Sequence, residues 1–177
     1  MVRKKPVFEN PIIIQYRGTY DYDGLIAFLR GYLLGLKPNV YAEPKFKYKT
    51  GKTGAEVEFE FKAIRRITHY IRIELSVAGH AWDVIRRDIE VDGQKKMVTD
   101  GKIHMELKGN FEVDFANAFG KVPKNEKFAL RQMEAILNKE PGGVLFEDNK
   151  VTGKKFATSV LNDLDKKIKS FLRMECF

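Results

Sequence analysis

Alternating apolar and polar side chains dominate the middle of the chain. In residues 55–63 every odd position is apolar and every even position is charged, and the apolar odd positions continue, apart from His69, as far as Val77. Successive side chains of a strand point to opposite faces, so this pattern predicts a sheet with one face on a core and the other in water. A single strand of that length would far exceed the usual about 5–6 residues. We therefore interpret residues 55–77 as two strands.

A second alternating segment precedes this one and carries lysines. Phe46 and Tyr48 alternate with Lys45, Lys47 and Lys49. The period of two predicts a further strand of the same sheet. We expect its lysines to face solvent and both aromatic rings to point into the core.

The turn between the two segments determines which charges pair. A two-residue loop at Gly51-Lys52 has glycine at its first position, which is the signature of a type II′ hairpin turn. This loop would place Lys47 opposite Glu56 and Lys45 opposite Glu58. Each such pair is worth about 0.2–1 kcal/mol on an exposed sheet surface.

Turn-forming residues divide the following segment into strands. Gly79-His80 is interpreted as a loop before a strand at 84–91. The pairs Asp92-Gly93 and Asp100-Gly101 are each typical of tight hairpins. Because apolar positions alternate again at 103–115, the segment predicts an antiparallel meander.

The N-terminal part of the chain predicts a strand followed by a helix. Three successive isoleucines in the strand at 11–16 indicate burial on both of its faces. The spacing of apolar residues at 25–36 predicts a largely buried helix, with Asp21 or Asp23 as its N-cap.

Two helical segments follow the meander, at 128–137 and at 156–172, with Leu164 in the apolar stripe of the second. The predicted fold class is α+β: an antiparallel meander sheet of about five to six strands, one buried N-terminal helix, and two C-terminal helices packed on one face. The order of strand, helix, meander and C-terminal helix resembles, as a pattern, the helix-grip arrangement of START-type lipid-binding domains. The resemblance implies carriage of a small apolar ligand as one alternative function, and it carries over no individual residue.

Length and cysteine content limit the class of protein. The 177 residues suit a single domain, which we place at 11–177 behind a mobile basic N-terminal arm at 1–10. The single cysteine, Cys176, cannot form an internal disulfide or a zinc site, which favours a reducing compartment. The apolar runs are too short for a signal peptide or a membrane span. We therefore expect a cytoplasmic protein.

The basic charge permits several classes of partner and selects none of them. The net charge of +8 at pH 7 allows attraction to nucleic acid, an anionic membrane or an acidic protein. The strongest candidate for an anion or nucleic-acid site consists of Lys45, Lys47, Lys49 and Lys52, four lysines within eight residues. Glutamates on the neighbouring strand would neutralise much of this charge. Nucleic-acid binding is therefore an alternative function and not the favoured one.

Contacts with a protein partner are predicted at two places. The N-terminal arm carries Arg3, Lys4 and Lys5, and the helix at its centre carries Gly31 and Gly35 on one face. A glycine inside a helix costs about 1 kcal/mol relative to alanine, so the close approach of another backbone would explain both glycines. We expect a protein partner or self-association.

No catalytic, cofactor or metal-binding motif withstands inspection. Gly51-Lys52-Thr53 lacks the earlier glycine and the following helix of a phosphate-binding loop. The three histidines show no metal-ligand spacing. Glu56, Glu58 and Glu60 lie about 7 Å apart along one strand face, too far for all three to share one ion. We expect no cofactor, no metal and no enzymatic activity.

The favoured function is a non-enzymatic structural or interaction protein, as a subunit of a larger homo- or hetero-oligomeric assembly. This prediction depends on the absence of catalytic motifs, on the very apolar helix at 25–36, and on strands that can extend a partner's sheet. Nucleic-acid binding along the basic strand and carriage of a small apolar ligand are the two alternatives.

Overall fold

The computed structural model describes residues 3–52, 54–67, 71–91, 94–113 and 146–174. Within these ranges the chain forms six β-strands and two α-helices. In chain order the elements are β1 (Arg3–Pro6), β2 (Ile12–Tyr20), α1 (Tyr22–Gly35), β3 (Val40–Thr50), β4 (Ala55–Arg66), β5 (Ile71–Val91), β6 (Gln94–Val113) and α2 (Phe146–Phe171).

All strand pairs are antiparallel, and the order across the sheet is β1–β6–β5–β4–β3, with β2 also paired to β6. β1 and β2 follow one another along the same edge of β6, so the sheet is five strands wide. The predicted α+β class with an antiparallel sheet is confirmed. Because β2 pairs with the last strand of the meander, the N-terminal strand and the end of the sheet are neighbours in space.

Two predicted strand connections agree with the structure. The segment at 55–77 forms two strands, since β4 ends at Arg66 and β5 begins at Ile71. The pairing of Val91 with Gln94 leaves a two-residue connection between β5 and β6, as the Asp-Gly pair predicted.

Two other predicted turns are wrong, because Gly79-His80 and Asp100-Gly101 both lie inside long strands. Asp100-Gly101 lies opposite an irregularity of β5 between Trp82 and Ile85, where Asp83 has a φ of 54°. A Cβ atom at position 101 would lie 3.0 Å from the carbonyl oxygen of Trp82. The glycine therefore permits a close approach of two backbones at a bulge, which is the other common role of glycine in a strand.

The β3–β4 hairpin has a different register from the predicted one. Lys47 lies opposite Glu58, two residues away from its predicted partner. Because the shift is even, lysines and glutamates still share a face. The connection spans residues 51–54, and the Gly51 N–H donates to the Gly54 carbonyl oxygen at 2.9 Å. Gly54 has a φ of 144°, which other residues rarely adopt, so a longer turn with glycine at its end replaces the predicted one.

One face of the sheet carries the core, and both helices cover it. Odd-numbered side chains of the central strands are buried there, including Phe59, Phe61, Val77 and Leu107. α1 packs on β4, and α2 packs on β5 and β6. Leu164 of α2 is 1% exposed, so its predicted place in the core is confirmed.

The helix ends were predicted unequally. The Asp21 carboxylate accepts a hydrogen bond from the Gly24 N–H at 2.8 Å, which confirms one of the two candidate N-caps. α2 begins at Phe146, well before the predicted start at 156. The other predicted C-terminal helix, at 128–137, lies outside the described residues. Neither α1 nor α2 combines the length and the apolar composition that crossing a membrane requires.

The N-terminal segment differs from its prediction. Residues expected to form a mobile arm include β1, which pairs with residues 110–113 of β6. Lys4 Nζ also lies 2.6 Å from Glu74 Oε2, so an ion pair adds to the strand pairing. In β2, Ile14 is buried whereas Ile13 is 52% exposed. Burial on both faces is therefore wrong, because β2 has the core on one side only.

Candidate interaction surface

Strand β3 is the outer strand of the sheet, and its aromatic side chains face solvent. Phe46 is 48% exposed and Tyr48 is 58% exposed, although they lie opposite Phe59 and Val57 on the core face. Among the described residues, neither helix packs on β3 as it does on the neighbouring strands. The prediction of buried rings is therefore wrong: both rings lie on the core face, beyond the part that the helices cover.

Arg30 of α1 reaches over the first half of β3. Its guanidinium lies 5.6 Å from the centroid of the Phe46 ring and donates to both oxygens of Glu43, at 2.9 and 2.7 Å. These hydrogen bonds lower the pKa of Glu43 below its ordinary value. Tyr41 donates to the same carboxylate at 2.8 Å. The network holds β3 to α1 and leaves most of the Tyr48 ring uncovered.

The four candidate lysines lie on the opposite face of β3 and in the following turn. Lys45 forms an ion pair with Glu58, and its hydrogen bond lowers the pKa of the Glu58 carboxyl group. Lys47, Lys49 and Lys52 are exposed and form no ion pair with another described residue. The structure thus places the predicted anion site and the aromatic rings on opposite faces of one strand.

Within the described residues, no strand pairs with the outer edge of β3. Part of this edge opposes pairing, because Pro44 lacks an N–H and the ladder is irregular between Ala42 and Lys45. Residues 45–50 then form a regular ladder with β4. The outward main-chain groups of this regular part are a template for a further strand.

The outer face of α1 is also open. Gly31 and Gly35 are exposed, and a Cβ atom at either position would have no described atom within 4 Å. Leu34, which lies between them, is 51% exposed. No described backbone approaches these glycines, so their role in a partner contact stays a prediction.

The basic residues of the N-terminal arm belong to the sheet. Lys4 contacts Glu74 and lies 3.9 Å from Glu112. Arg3 and Lys5 are part of β1 through their main chains. A partner contact of these three residues stays a prediction, and Lys4 would make it from within an existing ion-pair network.

The polar face of the sheet contains a cluster that the sequence analysis missed. Glu56 and Glu58 of β4 and His80 of β5 each bring one ligand atom within 4.8 Å of the other two. His80 Nε2 lies 2.6 Å from Glu56 Oε1, and the ring centroids of His80 and Trp82 are 3.8 Å apart. The sequence analysis compared carboxylates along one strand and placed His80 in a loop. Extending the alternation of β4 through the even positions of β5 would have found the cluster.

Comparison with protein-family models gave no match, and comparison with the curated proteins gave none either. No role is therefore carried over to this chain from another protein. The function is inferred from the geometry of β3 and of the polar face.

Proposed function

We propose that the protein is a non-enzymatic interaction module that binds an extended segment of a partner protein along the outer edge of β3. The observation that carries the proposal is an edge strand, unpaired among the described residues, with Phe46 and Tyr48 exposed on it. In strand addition, main-chain hydrogen bonds supply affinity and pockets for alternate side chains supply specificity. Both requirements have a counterpart in β3.

The partner segment is expected to alternate acidic and apolar side chains. Its acidic residues would lie beside Lys47 and Lys49, and its apolar residues beside Phe46 and Tyr48 on the other face. β4 supports this pattern, because it alternates glutamate with apolar residues and pairs with the inner edge of β3 in this way. Opposite charges directly across two strands stabilise the pair.

The same rule disfavours a second copy of β3 as the partner strand. Two antiparallel β3 strands keep their aromatic faces on one side only if directly opposed residue numbers have an even sum. Lys45, Lys47 and Lys49 would then lie opposite lysines of the other copy, and like charges destabilise such a pair. Homo-oligomerisation through another surface stays a prediction, which gel filtration with light scattering over a wide concentration range tests.

A peptide with the sequence of residues 55–61 is a suitable probe, because this sequence already pairs with β3 from the inner side. A titration is followed by the NMR chemical shifts of the backbone amides. We expect saturable binding, with the largest shifts at residues 45–50. A peptide with its glutamates replaced by lysines should bind at least about tenfold more weakly, since like charges across an interface are strongly unfavourable.

Variants of the protein locate the contact. Phe46→Ser combined with Tyr48→Ser should weaken peptide binding at least about tenfold, because loss of an aromatic anchor typically costs more than about 1 kcal/mol. Met97→Ser is the matched control, since Met97 is a comparably exposed apolar residue on β6. Equal weakening by Met97→Ser, or shifts spread over the whole sheet, would show that β3 is not the binding edge.

Nucleic-acid binding is the second candidate, because Lys47, Lys49 and Lys52 are exposed and have no ion-pair partner among the described residues. They lie on the face opposite Phe46 and Tyr48, so one face cannot supply both phosphate contacts and base stacking. Replacement of all four candidate lysines by glutamine tests this function. A phosphate-binding strand would lose about 0.7 per contact from the log–log salt dependence for single strands. We expect an unchanged slope, or no binding at low salt.

Carriage of an apolar ligand would need a cavity between the core face and α2. The described part of this interface is filled, since a Cβ atom on Gly109 would lie 2.6 Å from Leu161 Cδ1. Ala157, Leu161 and Ile168 are fully buried. This close packing supports the interaction module over the carrier. A co-purified apolar ligand in native mass spectrometry would reverse that preference.

A further inference from the structure

Two carboxylates and one imidazole meet on the polar face of the sheet. Glu56 and Glu58 are two residues apart on β4 and share a face, and Glu58 lies directly opposite His80 of β5. One ligand atom from each lies within 4.8 Å of the other two. We propose that Glu56, Glu58 and His80 form a binding site for Zn²⁺. This site is separate from the partner-binding edge and does not depend on it.

The donor set selects the class of metal ion. Carboxylate oxygens and imidazole nitrogens bind Zn²⁺ at about 2.0–2.2 Å, and three protein ligands leave a fourth position for water. Ca²⁺ and Mg²⁺ take oxygen ligands in higher numbers, so an imidazole in the site disfavours them. Imidazole suits zinc and its neighbours among the first-row transition metals.

Small rotations of exposed side chains would close the site around an ion. Ligand atoms around tetrahedral Zn²⁺ lie about 3.4 Å apart, by the bond lengths above, and His80 Nε2 and Glu56 Oε1 are already 2.6 Å apart. The side chains of His80 and Glu56 are 28% and 39% exposed, so both can turn without disturbing the core. The proton that His80 Nε2 and Glu56 share would be released when the metal binds.

The surroundings of the cluster give an ion access and restrict the imidazole. A depression of about 320 Å³ lies beside it, lined by Glu58, His80 and His104 and by the small residue Ala78. On the other side the Trp82 ring packs against His80. Packing that fixes the orientation of a ligating histidine is a common feature of metal sites.

Lys45 is the internal competitor of the metal. Its ammonium group forms an ion pair with Glu58, so a metal ion has to displace it or share the carboxylate with it. Removal of the positive charge at Lys45 should therefore raise the affinity for Zn²⁺. A folding defect would lower the affinity, so the direction of the change separates the two causes.

Titration of the full chain with Zn²⁺ alone, in metal-free buffer, tests the site through the heat of binding and the tryptophan fluorescence. Trp82 is the only tryptophan of the chain and packs on a proposed ligand, so its emission should report occupancy. We expect one Zn²⁺ per chain and the same affinity from both signals. Ca²⁺ or Mg²⁺ at the same concentration should change neither signal, and a response equal to that of Zn²⁺ would overturn the proposed donor set.

Matched variants show whether these residues are the ligands. Glu56→Gln and His80→Gln should each weaken binding at least about tenfold, since even loss of an outer-shell partner typically costs about 10–100-fold. Lys45→Gln should tighten it. Glu60→Gln is the control, because Glu60 shares the strand face but pairs with Lys62 at 2.9 Å. Absence of saturable binding in the unmodified chain, or equal weakening by Glu60→Gln, would overturn the site. Thermal unfolding of each variant verifies that it folds.

Discussion

Phe46 and Phe59 are direct neighbours on adjacent strands and share one face of the sheet, yet Phe46 is 48% exposed and Phe59 only 1%. The Phe59 ring lies over Gly79, where a Cβ atom would come within 2.1 Å of it. It also stacks on Phe61, with ring centroids 5.3 Å apart. Phe46 has the guanidinium of Arg30 above it instead. The two strands have the same alternation, so the alternation assigns the face while the helices decide how much of that face is covered.

The charges of the two strands differ in a corresponding way. The glutamates of β4 have partners on both sides, since Glu58 pairs with Lys45 of β3 and Glu56 with His80 of β5. Lys47, at the outer strand, has no ion-pair partner among the described residues. A central strand has neighbours to satisfy both its edges, whereas an edge strand has apolar area and charge left for a partner.

The largest expected effect is the difference between the two phenylalanines. Phe59→Ala should lower the free energy of unfolding by about 3–5 kcal/mol, because it leaves a cavity in the core. Phe46→Ala should lower it by less than about 1 kcal/mol, since substitutions at the surface have small effects. Urea denaturation of both variants measures the difference. Equal losses would show that Phe46 is covered in solution and that β3 is not a free edge.

Leu164→Ala tests the helix that covers the central strands. Leu164 is 1% exposed, so the substitution should cost about 2–5 kcal/mol in the free energy of unfolding. Asn162→Ala, at an exposed position of the same helix, is the control and should change stability little. A loss under about 0.5 kcal/mol for Leu164→Ala, no more than a typical surface substitution, would indicate that α2 is only loosely attached to the sheet.

Gly31→Ala and Gly79→Ala should have opposite signs. A Cβ atom at position 31 has no described neighbour within 4 Å, so alanine should stabilise α1 by about 0.5–1 kcal/mol. A Cβ atom at position 79 meets the Phe59 ring, so alanine should destabilise by about 1–3 kcal/mol through overpacking. Thermal unfolding measures both. Destabilisation by Gly31→Ala would mean that another segment or a partner packs on this face.

The smallest expected effect concerns the Arg30–Glu43 pair beside Phe46. The pKa of Glu43 is lowered by its hydrogen bonds to Arg30, so its contribution to stability is present above the unfolded pKa of about 4.3 and is lost as the pH falls through the folded pKa. Because the pair is partly exposed, Glu43→Gln should cost less than about 1 kcal/mol at pH 7. Denaturation curves at several pH values should show the two proteins converging in acid. A difference that persists below the folded pKa would exclude the ion pair as its cause.

The sequence by itself determined the local features of the fold. Alternation at 55–63 assigned each side chain of β4 to its face, because a strand has a period of two whatever it packs against. The N-cap at Asp21 and the hairpin between Val91 and Gln94 were predictable for the same reason, since their geometry depends on a few consecutive residues. Leu164 was recognised as a core residue from helical spacing alone.

Only the tertiary structure decided which surfaces are covered and which residues from different strands meet. Phe46 is exposed because the helices do not extend over β3, and nothing in residues 45–50 records that distance. Glu56 and His80 meet because β5 continues past Gly79 without a turn, which places a histidine distant in sequence opposite the glutamates. Asp100-Gly101 could form either a hairpin or a bulge, and the strands on both sides of β6 selected the bulge. Coverage and cross-strand contacts depend on segments far apart in the chain, so local patterns do not contain them.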